Sequence, residues 1–287
     1  MPLPDLSGIH KEEIQIPTRD GSSIRALTYR SESSIKSGEL GPLFVYFHGG
    51  GWIFGPAEAA EGNVKALAEK SGIVTVSIDY RVAPEFVFPT AANDGIDAVK
   101  WLAANAASVG ADPSKGFIVG GESAGANVTA VVTHEAVDAG LSPPITGSYL
   151  RIPYLIHQTA VPDEWKAHYN SYNDHPNEPI LSHKDLDYFE SHYKPDLKSP
   201  YFNPLLWPSG HKAQPPTYFQ ISGLDPLRDG AFIYEHILRA EHGIPTKVDV
   251  WEGIPHGGTS FLPMLTVSKK AVGQTEDGIA WLLSQKK

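Results

Sequence analysis

Lys115-Gly-Phe-Ile-Val-Gly-Gly-Glu-Ser-Ala-Gly125 is the stretch whose reading decides the fold. Through Gly120 it is apolar and rich in branched and aromatic residues, which predicts a buried strand; the small and β-branched residues of 124–139 predict a helix behind it. Ser123 then stands at a strand-turn-helix junction. A turn sharp enough to project a serine from its apex lets neighbouring chain pass close by, and Gly121 and Gly125 remove the Cβ atoms that would prevent this. Gly-x-Ser-x-Gly also occurs as an ordinary Gly/Ser turn, so its meaning depends on context.

That context lies upstream. Pro42-Leu-Phe-Val-Tyr-Phe47 reads as another buried strand, and it stops at His48-Gly-Gly-Gly-Trp52. Three glycines leave backbone N–H groups free to turn toward an anion, either a phosphate or the oxygen of a tetrahedral intermediate. A phosphate-binding loop would continue with Lys and Ser or Thr, whereas Trp52, Ile53 and Phe54 follow here. The loop alone leaves a plain strand-to-helix turn open as the alternative.

A serine hydroxyl becomes a nucleophile when a base takes its proton, and the base needs an acid to fix its tautomer and stabilise its cation. The predicted strand 217–222 leads into Gly223-Leu-Asp-Pro-Leu-Arg-Asp229, where Asp225 is expected at the N-cap of the next helix and Pro226 in its first turn. Asp229 is the second candidate acid, expected instead as a structural partner of Arg228 or of the loop. The predicted strand 246–251 leads into Glu252-Gly-Ile-Pro-His-Gly-Gly258, which sets His256 on a Gly/Pro loop at a strand end. In chain order, Ser123, Asp225 and His256 follow the α/β-hydrolase arrangement and not that of chymotrypsin or subtilisin.

Together with Asp79-Tyr-Arg-Val-Ala-Pro-Glu85, these blocks resemble the hormone-sensitive-lipase-type carboxylesterases of the α/β-hydrolase fold (fold-3). The resemblance runs from about Val45 to the C-terminus and is weakest over 151–214. It implies Ser123 as nucleophile, Asp225 as acid and His256 as base, with the backbone N–H groups of Gly50, Gly51 and Ala124 as oxyanion-hole donors. Three positions depart from the family pattern. Ala126 stands where a second glycine is usual, Gly230 where an acidic residue is common, and Gly258 where an aromatic usually follows the His-Gly pair; the last predicts a missing wall of the site. Members often carry an additional pair of N-terminal cap helices, whereas this chain begins close to its first strand, which predicts a more open entrance.

The rest of the chain alternates strand and helix, which predicts a mostly parallel twisted sheet with helices on both faces, as one domain over 1–287. A chain of this length can bury about three quarters of its extended surface without staples. Residues 12–16 and 23–30 are expected as an opening antiparallel pair around the turn 19–22, followed by a solvated linker over 31–41. A strand over 73–78, a sheet-covering helix over 93–107 and later helices over 227–242 and near 275–283 complete the frame. Asp79 and Arg81 are expected as a buried or half-buried pair shaping the oxyanion loop. Residues 151–214 mix prolines with aromatics and show no strand, which predicts an inserted cap or lid whose aromatics form its own core and in part line the site.

Composition narrows the partners. Lys and Arg number 23 against 33 Asp and Glu, a net charge of −10 that disfavours nucleic acid. Cysteine is absent, which excludes disulfides, a thiolate nucleophile and zinc-thiolate sites. His157, His168, His175, His183 and His192 lack the spacing of a zinc helix, so no metal and no cofactor are expected. The N-terminus has no basic-apolar leader, no run reaches membrane-spanning length, and Ser284-Gln-Lys-Lys287 is not a targeting address; a cytoplasmic chain without a membrane partner is the expectation.

The resemblance thus implies hydrolysis of a small-molecule ester, short- to medium-chain or aryl, through an acyl-enzyme on Ser123. Two other classes share the frame: a non-hydrolytic enzyme of specialised metabolism (lyase, dehydratase or cyclase) and a ligand-binding receptor. Receptors resembling this family typically lose the catalytic histidine, and His256 is present. Acyl length, alcohol and oligomeric state are not legible.

Overall fold

The computed structural model describes residues 4–285. Residues 1–3 and 286–287, parts of the termini behind the cytoplasmic expectation, lie outside the described residues. Short branched and aromatic runs form eight strands: β1 (Ile9–Pro17), β2 (Ser23–Ser31), β3 (Leu43–Phe47), β4 (Val74–Ile78), β5 (Phe117–Glu122), β6 (Gly147–Arg151), β7 (Thr217–Ser222) and β8 (Thr246–Trp251). They make one sheet in the order β1-β2-β4-β3-β5-β6-β7-β8. β2 pairs antiparallel with β1 and β4, and every later pairing is parallel. This is the expected α/β architecture.

The helices are α1 (Glu32–Ser37), α2 (Glu61–Ser71), α3 (Thr90–Asn105), α4 (Ala124–Asp138), α5 (Ser171–Asp174), α6 (His183–Tyr193), α7 (Arg228–His236), α8 (Gly258–Phe261) and α9 (Thr266–Ser284). Alternation along a strand sends successive side chains to opposite faces, and β3 shows what that does here. Leu43, Val45 and Phe47 join Ile96 and Val99 of α3 and Val128 of α4 on one face. Phe44 and Tyr46 meet Leu67 of α2 and Ile279 and Leu282 of α9 on the other. Both faces are therefore covered, which is why β4 and β7 are buried along their whole length.

Three local expectations change. The linker over 31–41 contains α1, because Ser31 accepts a hydrogen bond from the Ser34 N–H at its start and Gly38 closes it in the left-handed conformation. α9 begins at Thr266 rather than near 275, because its buried face opens with Ser268, Ala271 and Thr275, small residues that hide the apolar period. The helix expected over 227–242 ends as α7 at His236 and continues as a π-helical turn over Ile237–Glu241.

Among the described residues the segment between β6 and β7 has no strand. Its longest helix, α6, starts with a capping box in which Ser182 and Asp185 satisfy each other's backbone N–H groups. Leu186 and Tyr193 of α6 are buried in the cluster that holds Trp52. α6 is thereby packed onto the glycine loop that follows β3.

Candidate active site

Ser123 alone makes the turn between β5 and α4, at φ +55° and ψ −117°. A non-glycine residue in such backbone is strained by roughly 1–3 kcal/mol, and persists where its surroundings hold it. The Ser123 N–H donates to the Arg151 carbonyl at 2.9 Å, and the Asn127 N–H donates to the Ser123 carbonyl at 3.1 Å. Gly125 matters for a different reason: a Cβ there would collide with the carbonyl oxygens of Phe47 and His48. The missing side chain lets the serine turn sit directly against the end of β3.

The ends of β7 and β8 bring two more groups to this turn. His256 Nε2 lies 2.9 Å from Ser123 Oγ, and His256 Nδ1 lies 2.6 Å from Asp225 Oδ2. With Nδ1–H donating to the carboxylate, the lone pair is on Nε2, where a base for the serine proton must have it. Asp225 and His256 are both buried. Burial works against a charged imidazole, but the charge and hydrogen bond of Asp225, followed by the charges of Glu122 and Glu178, hold the His256 pKa above the ordinary value of 6.5.

Asp225 does not sit at a helix N-cap. α7 starts at Arg228 with Leu227 before it, and Pro226 lies ahead of the helix. The carboxylate instead accepts from the Leu227 N–H through Oδ1 at 2.8 Å, which fixes its plane and leaves Oδ2 for the histidine. Asp229 stands apart from the pair, accepting from Arg228 Nε and from the N–H groups of Asn170 and Ser171. It ties α7 to the segment between β6 and β7.

At the glycine loop Gly50 adopts φ +123°, and a Cβ there would collide with the Phe54 carbonyl. Among the described residues the N–H groups of Gly50, Gly51 and Ala124 have no acceptor. His48 stiffens the loop from behind: its Nδ1 bonds to the Gly49 carbonyl at 2.9 Å, and its ring stacks on Tyr80 at 4.2 Å. Tyr80 Oη donates to the His48 carbonyl at 2.7 Å. Burial lowers the His48 pKa, so the ring stays neutral.

The α/β-hydrolase fold family matches over residues 44–260. The chain belongs to that family, in its hormone-sensitive-lipase-type branch. Over its whole length it is 41% identical to an AB hydrolase superfamily protein of Schizosaccharomyces pombe, spanning 83% of that protein. It is 34% identical to the versiconal hemiacetal acetate esterase of Dothistroma septosporum, over 96% of this chain and 83% of the other. Of solved structures, vibralactone cyclase superposes with a TM-score of 0.92 at 35% identity, covering 99% of this chain and 82% of that one.

In this α/β-hydrolase, Asp79 and Arg81 do not pair with each other as expected. Asp79 accepts from Arg25 Nε and from the Ala57 N–H, while Arg81 reaches the buried Asp94 and the more exposed Asp20. β4 has ended at Ile78, so the chain turns here and each charge finds a nearer partner on a different element. The residue between them, Tyr80, is the one that touches the glycine loop, at His48. An aromatic enclosed by two charges just behind a buried strand was its only signal.

Two further contacts could not be read from motifs. Arg151 lies 3.3 Å from Glu122 through Nη1, and donates from Nη2 to Thr259 Oγ1 at 2.7 Å and Ser260 Oγ at 3.0 Å. It links the residue before Ser123 to α8, just behind His256. The parallel register that aligns Glu122 with Arg151 creates this link. The other is Phe189 of α6, whose ring stands where a Cβ on Gly51 would have to go and which meets Phe54 edge-on. Tyr193 stacks flat on Trp52 at 4.9 Å.

At Gly258 a Cβ would run into Ile254 and Pro255, and the ring of Phe261, which lies against Gly257, is 61% exposed. Among the described residues no helix is long and apolar enough to cross a membrane, and no group of three His, Cys, Asp or Glu side chains could hold a metal ion.

Proposed function

We propose that the protein is a serine carboxylic-ester hydrolase acting on short- to medium-chain or aryl esters. One observation carries the reading: an unbroken hydrogen-bonded line from Ser123 Oγ through His256 to Asp225, beside three unengaged backbone N–H groups. His256 Nε2 takes the Ser123 proton as Oγ attacks the ester carbonyl, and Asp225 stabilises the imidazolium. The carbonyl oxygen becomes an oxyanion held by the N–H groups of Gly50, Gly51 and Ala124, each worth roughly 10²- to 10³-fold in rate when preorganised. His256 returns the proton to the departing alcohol, then activates water to release the acyl group from Ser123. Residues 151–214 act as a cap over this centre, with Phe189 and Tyr193 as its contacts. The likeness to a versiconal hemiacetal acetate esterase supports the ester substrate.

The likeness to vibralactone cyclase favours a second reading, in which a nucleophile within the substrate takes the place of water and the product is a ring. Product analysis separates the two, because only hydrolysis yields acid plus alcohol. Turnover of p-nitrophenyl butyrate by wild-type and Ser123→Ala protein tests the serine mechanism. A loss of about 10⁴-fold or more with an unchanged melting curve is expected; a variant that keeps a tenth of the rate contradicts it.

A further inference from the structure

His134 of α4 and His211, from the stretch ahead of β7, take no part in these steps, yet both are buried. Gln214 Nε2 donates to His134 Nδ1 at 2.9 Å, which puts the His134 proton on Nε2, 2.9 Å from Tyr234 Oη of α7 and 3.3 Å from His211 Nδ1. His211 Nε2–H donates to the Leu205 carbonyl at 3.1 Å, which leaves its Nδ1 bare. Trp207 lies nearly flat on the His134 ring at 4.7 Å. Every ring nitrogen is thus engaged while both rings are neutral. A proton added to His134 Nδ1 would point at the Gln214 amide N–H, and one added to His211 Nδ1 would point at His134 Nε2–H. One proton is accepted only if the Gln214 amide turns, and two only if the rings part.

No carboxylate offsets such a charge. Among the described residues neither ring bonds to one: on α4 Glu135 is held by Tyr201 and Asp138 by Trp207 Nε1 and Ser209 Oγ, and on α7 Glu235 is held by Arg239 and Thr246. His242 faces His211 with 6.4 Å between ring centres and repels a proton there. Burial, with the charge of His211, pushes His134 down to about 2, and burial lowers His211 as well. The cluster ties together α4, which starts directly after Ser123, α7, which follows Asp225, and residues 204–214. We propose that His134 and His211 form an acid-sensitive latch, which parts on taking up protons and releases residues 204–214 from α4 and α7. Above pH 6.5 the closed and open forms are both neutral here, and the latch holds. Below it the open form takes protons that the closed form refuses, so closure weakens with every unit. The latch does not depend on the ester-hydrolase reading.

Hydrogen exchange of the whole chain, read by mass spectrometry and corrected for intrinsic rates, locates the release. Between about pH 7.5 and about pH 5.5 the amides of 204–214 should lose protection about tenfold or more, while β5 and β7 change by less than about threefold. No loss, or an equal loss in the strands, overturns the latch. Urea unfolding of two variants then counts the protons. Each of the two histidines should multiply the unfolding constant about tenfold between the same pH values, whereas carboxylates and the other histidines contribute alike to wild type and variant. His134→Gln and His211→Gln should therefore each cut the wild-type increase about tenfold, whatever they do to stability at the higher pH. A purely structural role would shift the curve and leave its pH dependence as it was, and that result in both variants overturns the proposal. If one variant fails to fold, the other decides.

Discussion

The parallel sheet and the segment between β6 and β7 meet at the glycine loop, but they reach it by different means. β3, β5, β7 and β8 each deliver one part of the centre from a strand end: the glycine loop, Ser123, Asp225 and His256. Backbone ladders flank β3, β5 and β7 on both sides and β8, at the edge of the sheet, on one. Among the described residues the segment between β6 and β7 has no strand; it arrives through side chains, with Tyr193 stacked on Trp52 and Phe189 against Gly51. In the proposed mechanism the reacting groups stand at strand ends, and the groups that would meet variable substrate parts stand on the proposed cap. Substitutions in the sheet should slow every ester alike, whereas substitutions in the cap should change the ratio between esters.

The largest effect short of removing a reacting group is expected at Gly50. An alanine there must move the Phe54 carbonyl and strain the loop, so kcat should fall about 10²- to 10³-fold for all esters with fold stability largely kept. A fall confined to long acyl chains would move the glycine loop into the selecting half. Next comes pH. Asp225 holds the His256 pKa above 6.5, and the base must be neutral, so kcat/KM should be full above that raised pKa and fall tenfold per unit below it. Initial rates across pH 4 to 9 check this; a midpoint below 6.5 or a flat profile breaks the tie between Asp225 and His256.

A smaller effect is expected at Arg151. Arg151→Met uncouples Glu122 from Thr259 and Ser260, loosening the Ser123 to His256 alignment, and should lower kcat about tenfold with KM little changed. A change in KM alone would make it a binding residue instead. The smallest total effect belongs to the cap: Phe189→Ala should leave the acetyl ester within about threefold of wild type while raising the relative rate on longer acyl chains. Uniform slowing across a p-nitrophenyl acyl series would place Phe189 with the sheet.

The same contrast explains what the sequence made legible. Strands with branched and aromatic runs, the Gly-x-Ser-x-Gly turn and the order of Ser123, Asp225 and His256 depend on neighbours in the chain, and all three residues come together in space. Tyr80 and Arg151 act through partners brought by packing and register, about 30 residues away in His48 and Glu122, so no local pattern marks them. The Asp79 and Arg81 expectation failed for that reason: opposite charges two residues apart invite pairing, but Arg25 and Asp94 are nearer once the chain has folded. Asp225 resembled an N-cap because a helix follows closely, and the turn at Pro226 and Leu227 shifted that helix start.

The central claim is that Ser123, activated by His256, is the single nucleophile. Treating the protein with a p-nitrophenyl phosphonate and mapping the adduct by peptide mass spectrometry tests it without assuming a natural substrate. One equivalent of p-nitrophenol released per chain, a phosphonyl adduct on the peptide containing Ser123, and parallel loss of esterase activity are expected. Esterase activity that survives complete modification of Ser123, or an adduct formed only elsewhere, would contradict it.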